Sequence, residues 1–221
     1  MSLDGSDEVV VATHQPDLFP HTGFWFKMAH TDIFDLAVHD QFQVKGYQRR
    51  VTMRGHWASV RLLDPHRRPI VEMKVDPDAG SDLWNVIRGR YEGSRFWASR
   101  QLMVHDWMEK AFVNDYLWEV NTSLIESVAE YLSMDARLVP SEPQTLQGAA
   151  RVAERVARLG GNVYLSGTGA RAYMEDDDPD FVSRGIKIRW STHQHTTGDS
   201  ILTALFDDAN PRDTVMKEAE P

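Results

Sequence analysis

The sequence predicts an α/β protein with a mainly parallel, Rossmann-like sheet, a β-hairpin insertion and a helical middle segment. Three observations carry that expectation. Val9-Val10-Val11-Ala12 is a short, continuous, valine-rich run of the kind that forms a strand buried on both faces of a parallel sheet. A polar elbow, an amphipathic segment and a second apolar run follow at the spacing of a βαβ unit. The order strand, elbow, helix then returns at Asn162 to Arg171.

In chain order, Pro16 and Pro20 stop the first strand and stiffen its exit, and Gly23 opens the segment Phe24 to His30. Thr31 and Asp32 break that helix, and Asp32 to Val38 reads as the second strand. His39 to Arg50 is polar and aromatic at once and sits at the second strand's carboxyl end. Val51 to Met53 and Trp57 to Leu62 alternate around an Arg-Gly turn and predict a hairpin. Ile70 to Val75 alternates too and predicts a further strand.

From Ser81 to about Leu132 the period becomes helical. Ser81 is the expected N-cap of the first helix, Phe96 to Trp118 carries large apolar residues at three- and four-residue steps, and Asn121 to Leu132 is amphipathic. At that spacing the stripe Trp97, Trp107, Phe112, Tyr116 and Trp118 is core rather than a base-stacking platform. Ala136 to Pro140 predicts a short strand, Gln147 to Leu159 a helix closed by Gly160-Gly161, Gly185 to Trp190 a last strand, and Asp199 to Phe206 a helix. The expected organisation is one domain over residues 9–207, with a helical insertion at about 81–132, between flexible tails at 1–8 and 208–221.

Composition narrows the function. A net charge of −9 argues against general nucleic-acid binding and against an anionic membrane surface, since both require neutralising phosphates. Lys45, Arg49, Arg50, Arg54, Arg61, Arg67 and Arg68 form a local basic patch that reads as a solvated hairpin face. The absence of cysteine excludes disulfides, thiolate metal sites and cysteine nucleophiles. The first eight residues are acidic and no stretch approaches a membrane span, so a cytoplasmic location is expected.

Open α/β sheets bind ligands beyond the carboxyl ends of their strands, where His14 and Gln15 are placed. A histidine that only secures the loop is an equal alternative. Ser166-Gly167-Thr168-Gly169 offers small residues and backbone amides suited to an anion, although a plain tight turn has the same composition. Glu175 to Asp178 suits a divalent cation or a solvated loop. His193 and His195 would point to one side of an extended segment, in a geometry that suits zinc or iron.

Taken together, several residues resemble the WbqC-like protein family. They are His14-Gln15-Pro16 with Pro20, Gly23-Phe24 and Lys27; Asp32-Ile33-Phe34; Asp40-Gln41-Phe42 with Lys45, Tyr47-Gln48 and Arg50. Tyr91, Phe96, Leu132 and Tyr164-Leu165-Ser166-Gly167 with Gly169, Arg171 and Tyr173 continue the likeness, from about residue 9 to 210. The chain departs from the family pattern in Val38-His39-Asp40, where paired aspartates are usual, in Arg49-Arg50, and in a shortened segment after Trp190.

The resemblance implies an accessory protein of bacterial glycan or natural-product biosynthesis, and a group transferase that forms an amide by aminoacyl, glycyl-type transfer to an amino group. In that chemistry His14 is the expected general base, since an ordinary imidazole has a pKa of about 6.5. Asp40 is expected to orient it or to bind an ammonium group. Lys45 and Arg50 would hold phosphate or carboxylate, and the amides of Gly167, Thr168 and Gly169 an oxyanion, with Arg171 one turn into the helix behind.

Ser166 is a candidate acyl-carrying nucleophile, although no Gly-x-Ser-x-Gly elbow surrounds it. Gln15, Gln41 and Tyr47 suit sugar hydroxyls and rings. The expected partners are a small-molecule or sugar substrate and an aminoacyl donor, either an aminoacyl-tRNA or a carrier protein; no cofactor is specified. Two alternatives stay open: a non-catalytic glycan- or partner-binding module, and a metal-dependent enzyme using His14, His193 and His195.

Overall fold

The computed structural model describes residues 8–172, 174–194 and 198–219. At its centre lies β1 (Val10–His14), paired in parallel with β2 (Ile33–Leu36) on one side and β6 (Val163–Ser166) on the other. β5 (Arg137–Pro140) and β7 (Lys187–Trp190) complete a five-stranded parallel sheet in the order β5-β2-β1-β6-β7. Alternate side chains go to opposite layers, as the two-residue period of a strand demands. Val10, Ala12, Phe34 and Leu36 enter the larger core, while Val11, Ile33 and Tyr164 meet Val156 and Phe181 on the other face. Apolar residues on both faces explain why these strands read as continuous runs rather than alternating ones.

α1 (Thr22–Ala29) packs on the larger-core side. His21 caps it in place of the usual Ser, Thr or Asp, its Nδ1 accepting from the Gly23 N–H at 3.1 Å. Phe24, Trp25, Phe26 and Met28 are all buried, so the helix has no solvent face and Lys27 is carried inward with it.

The hairpin β3 (Arg50–Met53) and β4 (His56–Ser59) turns at Arg54-Gly55, with φ of 51° and 73°. Two successive residues in the left-handed region form the tight turn whose twist suits a two-residue hairpin. The residues expected as a strand at 70–75 instead begin with a 3-10 turn, Ile70–Glu72, behind Pro69. Proline has no N–H for a ladder, and among the described residues no strand runs alongside; the segment makes isolated bridges, Leu62 with Val75 and Lys74 with Tyr116.

The helical middle contains α2 (Ala79–Tyr91), α3 (Trp97–Ala111) and α4 (Leu117–Tyr131). Ser81 lies inside the first turn of α2 rather than at its cap, with its hydroxyl donating to the Asp78 carbonyl at 2.9 Å. The apolar period from Phe96 to Trp118 is interrupted because Val75 N–H donates to Asp115 O and Leu117 N–H to Met73 O, drawing that stretch out of the helix.

α5 (Gly148–Arg158) covers the opposite face and ends at Gly160, φ 77°. Beyond β6 the expected helix is a 3-10 turn, Thr168–Ala172, consistent with the low helix propensity of Gly167 and Gly169. In the acidic run, Asp178 caps the short α6 (Pro179–Val182) by accepting the Asp180 N–H at 3.0 Å, and Asp176 accepts from the Trp190 indole. α7 (Ile201–Asp207) starts at the Ser200 cap.

Where the sequence predicts a fraying C-terminal tail, the chain forms α8 (Pro211–Val215), burying Pro211 and Val215. Residues 217–219 then run beside 192–194, with Gln194 N–H on Lys217 O at 2.9 Å and Ala219 N–H on Thr192 O at 2.7 Å. Of the expected N-terminal tail, residues 1–7 lie outside the described residues, and Glu8 pairs with Arg189 at 2.6 Å. Among the described residues, no helix is long and apolar enough to cross a membrane.

Candidate functional site

The winding of the sheet reverses between β1 and β6: β2 and β5 lie to one side, β6 and β7 to the other. Strand ends diverge at such a point and leave a crevice, the usual ligand position in this architecture. Here it is a cavity of about 310 Å³, lined by His14 from β1, His21 and Lys27 from around α1, Gly167 to Gly169 after β6, and Ser191 and His193 after β7. A second cavity, about 570 Å³, opens on the β2 side of the same elbow and takes in Gln15, Asp40 and Gln41.

His14 is held by its neighbours in a defined state. Its Nδ1 lies 3.0 Å from the Gln15 carbonyl, so in the neutral ring Nδ1 carries the proton and Nε2 keeps its lone pair. Nδ1 is also 3.6 Å from an Asp17 carboxylate oxygen, and the ring meets Phe24 edge to face at 5.0 Å. Burial holds the His14 pKa well below the ordinary histidine value, and the nearby Lys27 cation lowers it further. His14 is therefore a neutral imidazole at pH 7.

Asp17 and Lys27 are both buried. Burial raises the Asp17 carboxyl to about 7 against the opposing pull of Lys27, and lowers the Lys27 ammonium to about 8 against that of Asp17. Both groups thus titrate near neutrality, Lys27 in the crevice lining and Asp17 buried behind His14. The Pro16-Asp17 elbow is fixed from below by Asn121 of α4, whose Nδ2 donates to Pro16 O at 2.8 Å and Gln48 O at 2.7 Å.

The structure brings His14 together with Gly167, Thr168 and Gly169, and separates it from Asp40. Asp40 belongs to another network: Arg155 reaches it at 2.8 Å and Arg151 at 3.2 Å, while Arg155 also lies 3.8 Å from the buried Asp35. Asp35 accepts from the Thr13 hydroxyl at 2.5 Å, and burial raises its pKa. The carboxylate beside His14 is Asp17, three positions along the same elbow, and not Asp40, which sequence reasoning chose at long range.

Other expected residues are more dispersed. Ser166 is buried at the end of β6, its hydroxyl directed to the Gly167 carbonyl at 3.4 Å, and the serine that lines the crevice is Ser191. Gln15 accepts from the Gln48 side-chain amide. Lys45, Tyr47 and Arg50 line neither cavity. The Arg50 guanidinium donates to Lys45 O at 3.1 Å and lies 4.0 Å above the Trp57 ring, and Tyr47 sits against Trp57 at 5.3 Å with His21 beyond at 6.3 Å. Arg171 does not lie in an α-helix behind the amides; it covers the Trp190 ring at 4.6 Å.

His195 lies outside the described residues, and among the described residues no group of three or more His, Asp or Glu is arranged to hold a metal. Sequence reasoning missed Asp17, Lys27, His21, Arg151 and Arg155 as participants. One signal was available for Lys27, a lone charge within a helix otherwise apolar all round.

The fold and these two cavities define a doubly wound α/β protein with a polar crevice at its switch point. The chain belongs to the WbqC-like protein family, whose model matches residues 15–198, most of the chain. Membership suggests a biosynthesis-associated protein. Among curated proteins and among solved structures, none matches the chain.

Proposed function

We propose that this protein is a biosynthetic group transferase that forms an amide by moving an aminoacyl group from an ester or thioester donor to an amine on a sugar or small molecule. The observation that carries the reading is the state of His14: a neutral ring, with its proton placed on Nδ1 by the Gln15 carbonyl, in a cavity shared with Lys27 and the Gly167–Gly169 backbone.

In the reaction, the amine nitrogen attacks the acyl carbon, and Nε2 of His14 accepts the proton released as the C–N bond forms. The tetrahedral oxyanion would be met by the amides of Gly167 to Gly169 and by the Lys27 ammonium, which is mostly protonated at pH 7. Collapse breaks the C–O or C–S bond, and His14 returns its proton to the leaving group. Asp17 stabilises the transient imidazolium from 3.6 Å. Ser166 has no part in this scheme, because its buried hydroxyl faces a backbone carbonyl.

The test is a mass-spectrometric screen of amino sugars and small amines against glycyl-tRNA and a glycyl thioester. An amide product is expected, with a loss of about 100-fold or more in His14→Ala, as for removal of a general base. No product from any pairing, or undiminished rates in His14→Ala, overturns the reading. One observation favours a second reading, a non-catalytic glycan-binding module: Tyr47 and Trp57, each 44% exposed, form an aromatic pair beside the crevice. Glycan binding lost in Trp57→Ala, retained in His14→Ala and never accompanied by product would select it.

A further inference from the structure

We infer that the larger cavity, on the β2 side of the elbow, binds a phosphorylated sugar. Its lining carries three guanidinium groups, Arg67, Arg68 and Arg151. The single carboxylate there, Asp40, is already held by Arg151 and by the buried Arg155. A cationic pocket in a chain of net charge −9 is a local concentration of charge suited to an anion, and guanidinium groups match phosphate oxygens in pairs. Among the described residues the Arg68 guanidinium pairs with Asp64, at 3.3 Å, with both side chains about half exposed, so the ion pair is weak and a phosphate displaces it at little cost.

The remainder of the wall is amide. Gln41, Gln43 and Gln147 each offer a donor and an acceptor, the pairing that sugar hydroxyls require, and the side-chain amides of Gln15 and Gln144 stand beside them. Among the described residues, two buried polar atoms of wall residues, Gln144 Oε1 and Arg151 Nε, have no hydrogen-bond partner. The volume, about 570 Å³, is that of a small-molecule site and far exceeds what phosphate alone fills. Gln15 follows His14 directly, so this cavity and the crevice share one wall.

The inference rests on the transferase reading only in treating the ligand as a substrate, and binding is measured without turnover. Isothermal titration would compare glucose 1-phosphate, UDP-N-acetylglucosamine, inorganic phosphate and N-acetylglucosamine. At least one phosphorylated sugar is expected to bind about tenfold or more tightly than phosphate or the neutral sugar, and the better of the two tells a monophosphate from a nucleotide-linked ligand. Arg67→Gln and Arg68→Gln, at exposed positions that leave the fold intact, should each weaken that binding about tenfold, while Arg61→Gln, outside the cavity, should leave it unchanged.

Failure of both phosphorylated sugars to bind overturns the inference, as does equal affinity for the neutral sugar or equal weakening by Arg61→Gln. Intact sugar-phosphate binding without amide formation sinks the transferase reading alone. Turnover on free amines without sugar-phosphate binding sinks this inference alone.

Discussion

His14 and Asp17 lie three residues apart on one elbow, with Nδ1 and a carboxylate oxygen 3.6 Å apart, and burial moves them in opposite directions, the imidazole well below its ordinary pKa and the carboxyl up to about 7. The backbone of the elbow makes this pair, and the burial imposed by α1 and the sheet sets its titration.

Stability should respond to pH through both buried charges. The Asp17 carboxyl, raised to about 7, keeps its proton in the folded state where the unfolded chain has lost it, so its contribution falls as pH rises from the ordinary carboxyl value toward 7. Lys27, lowered to about 8, gives up its proton first in the folded state, so its contribution rises with pH above 8 until the unfolded lysine titrates too. Thermal midpoints of Asp17→Asn against wild type should converge toward low pH and diverge in favour of the variant toward pH 7; parallel curves would contradict the assignment.

Amide formation should weaken on the alkaline side near pH 8 as Lys27 loses its charge. Its acid limb, set by His14, should lie well below pH 6.5. A rate profile of Lys27→Met that retains the alkaline limb would remove Lys27 from the reaction.

Asn121→Ala should destabilise the fold by about 2–4 kcal/mol, because it leaves the Pro16 and Gln48 carbonyls unpaired in the interior. Urea denaturation measures this directly. A loss under 0.5 kcal/mol would mean that water replaces the amide and that the elbow is not clamped from α4.

Removing Arg155 should be among the costliest changes to the chain. Arg155→Met leaves the buried Asp35 without its cation and Asp40 with Arg151 alone, a loss of about 3–5 kcal/mol for a broken buried pair. Arg151→Gln, whose side chain is more exposed, should cost much less in the same denaturation experiment.

At Gly161 a side chain does not fit. A Cβ would stand 2.5 Å from Val11 Cγ2 and 2.9 Å from Val156 Cγ1, so Gly161→Ala must push α5 away from β1 and should cost about 1–3 kcal/mol as overpacking. A melting temperature equal to wild type would show that the junction is looser than its geometry.

The sequence was most legible where local chemistry decides. Val9 to Ala12 could only be a buried strand, Arg54-Gly55 made its turn, and Gly160 ended α5 where the helical period stopped. It misled where alternation was accidental: Ile70, Met73 and Val75 are buried without a ladder, because among the described residues no strand runs beside them. The C-terminal residues looked like a tail because they are polar and short of periodicity, yet strand-like bonds to residues 192–194 secure them.

For the site, the sequence by itself determined the elbow: two prolines and a strand end put His14 and Gln15 at the carboxyl edge of the sheet, and the small residues after Ser166 followed from the same logic. Only the tertiary structure decided the partners. Asp40 went to Arg155 and Arg151 because α5 packs across β1 and β6, and Asp17 went to His14 because the elbow curls back on itself. Charge pairing depends on which elements meet in space. A strand end or a turn is set by the few residues that form it, so it can be read from sequence alone.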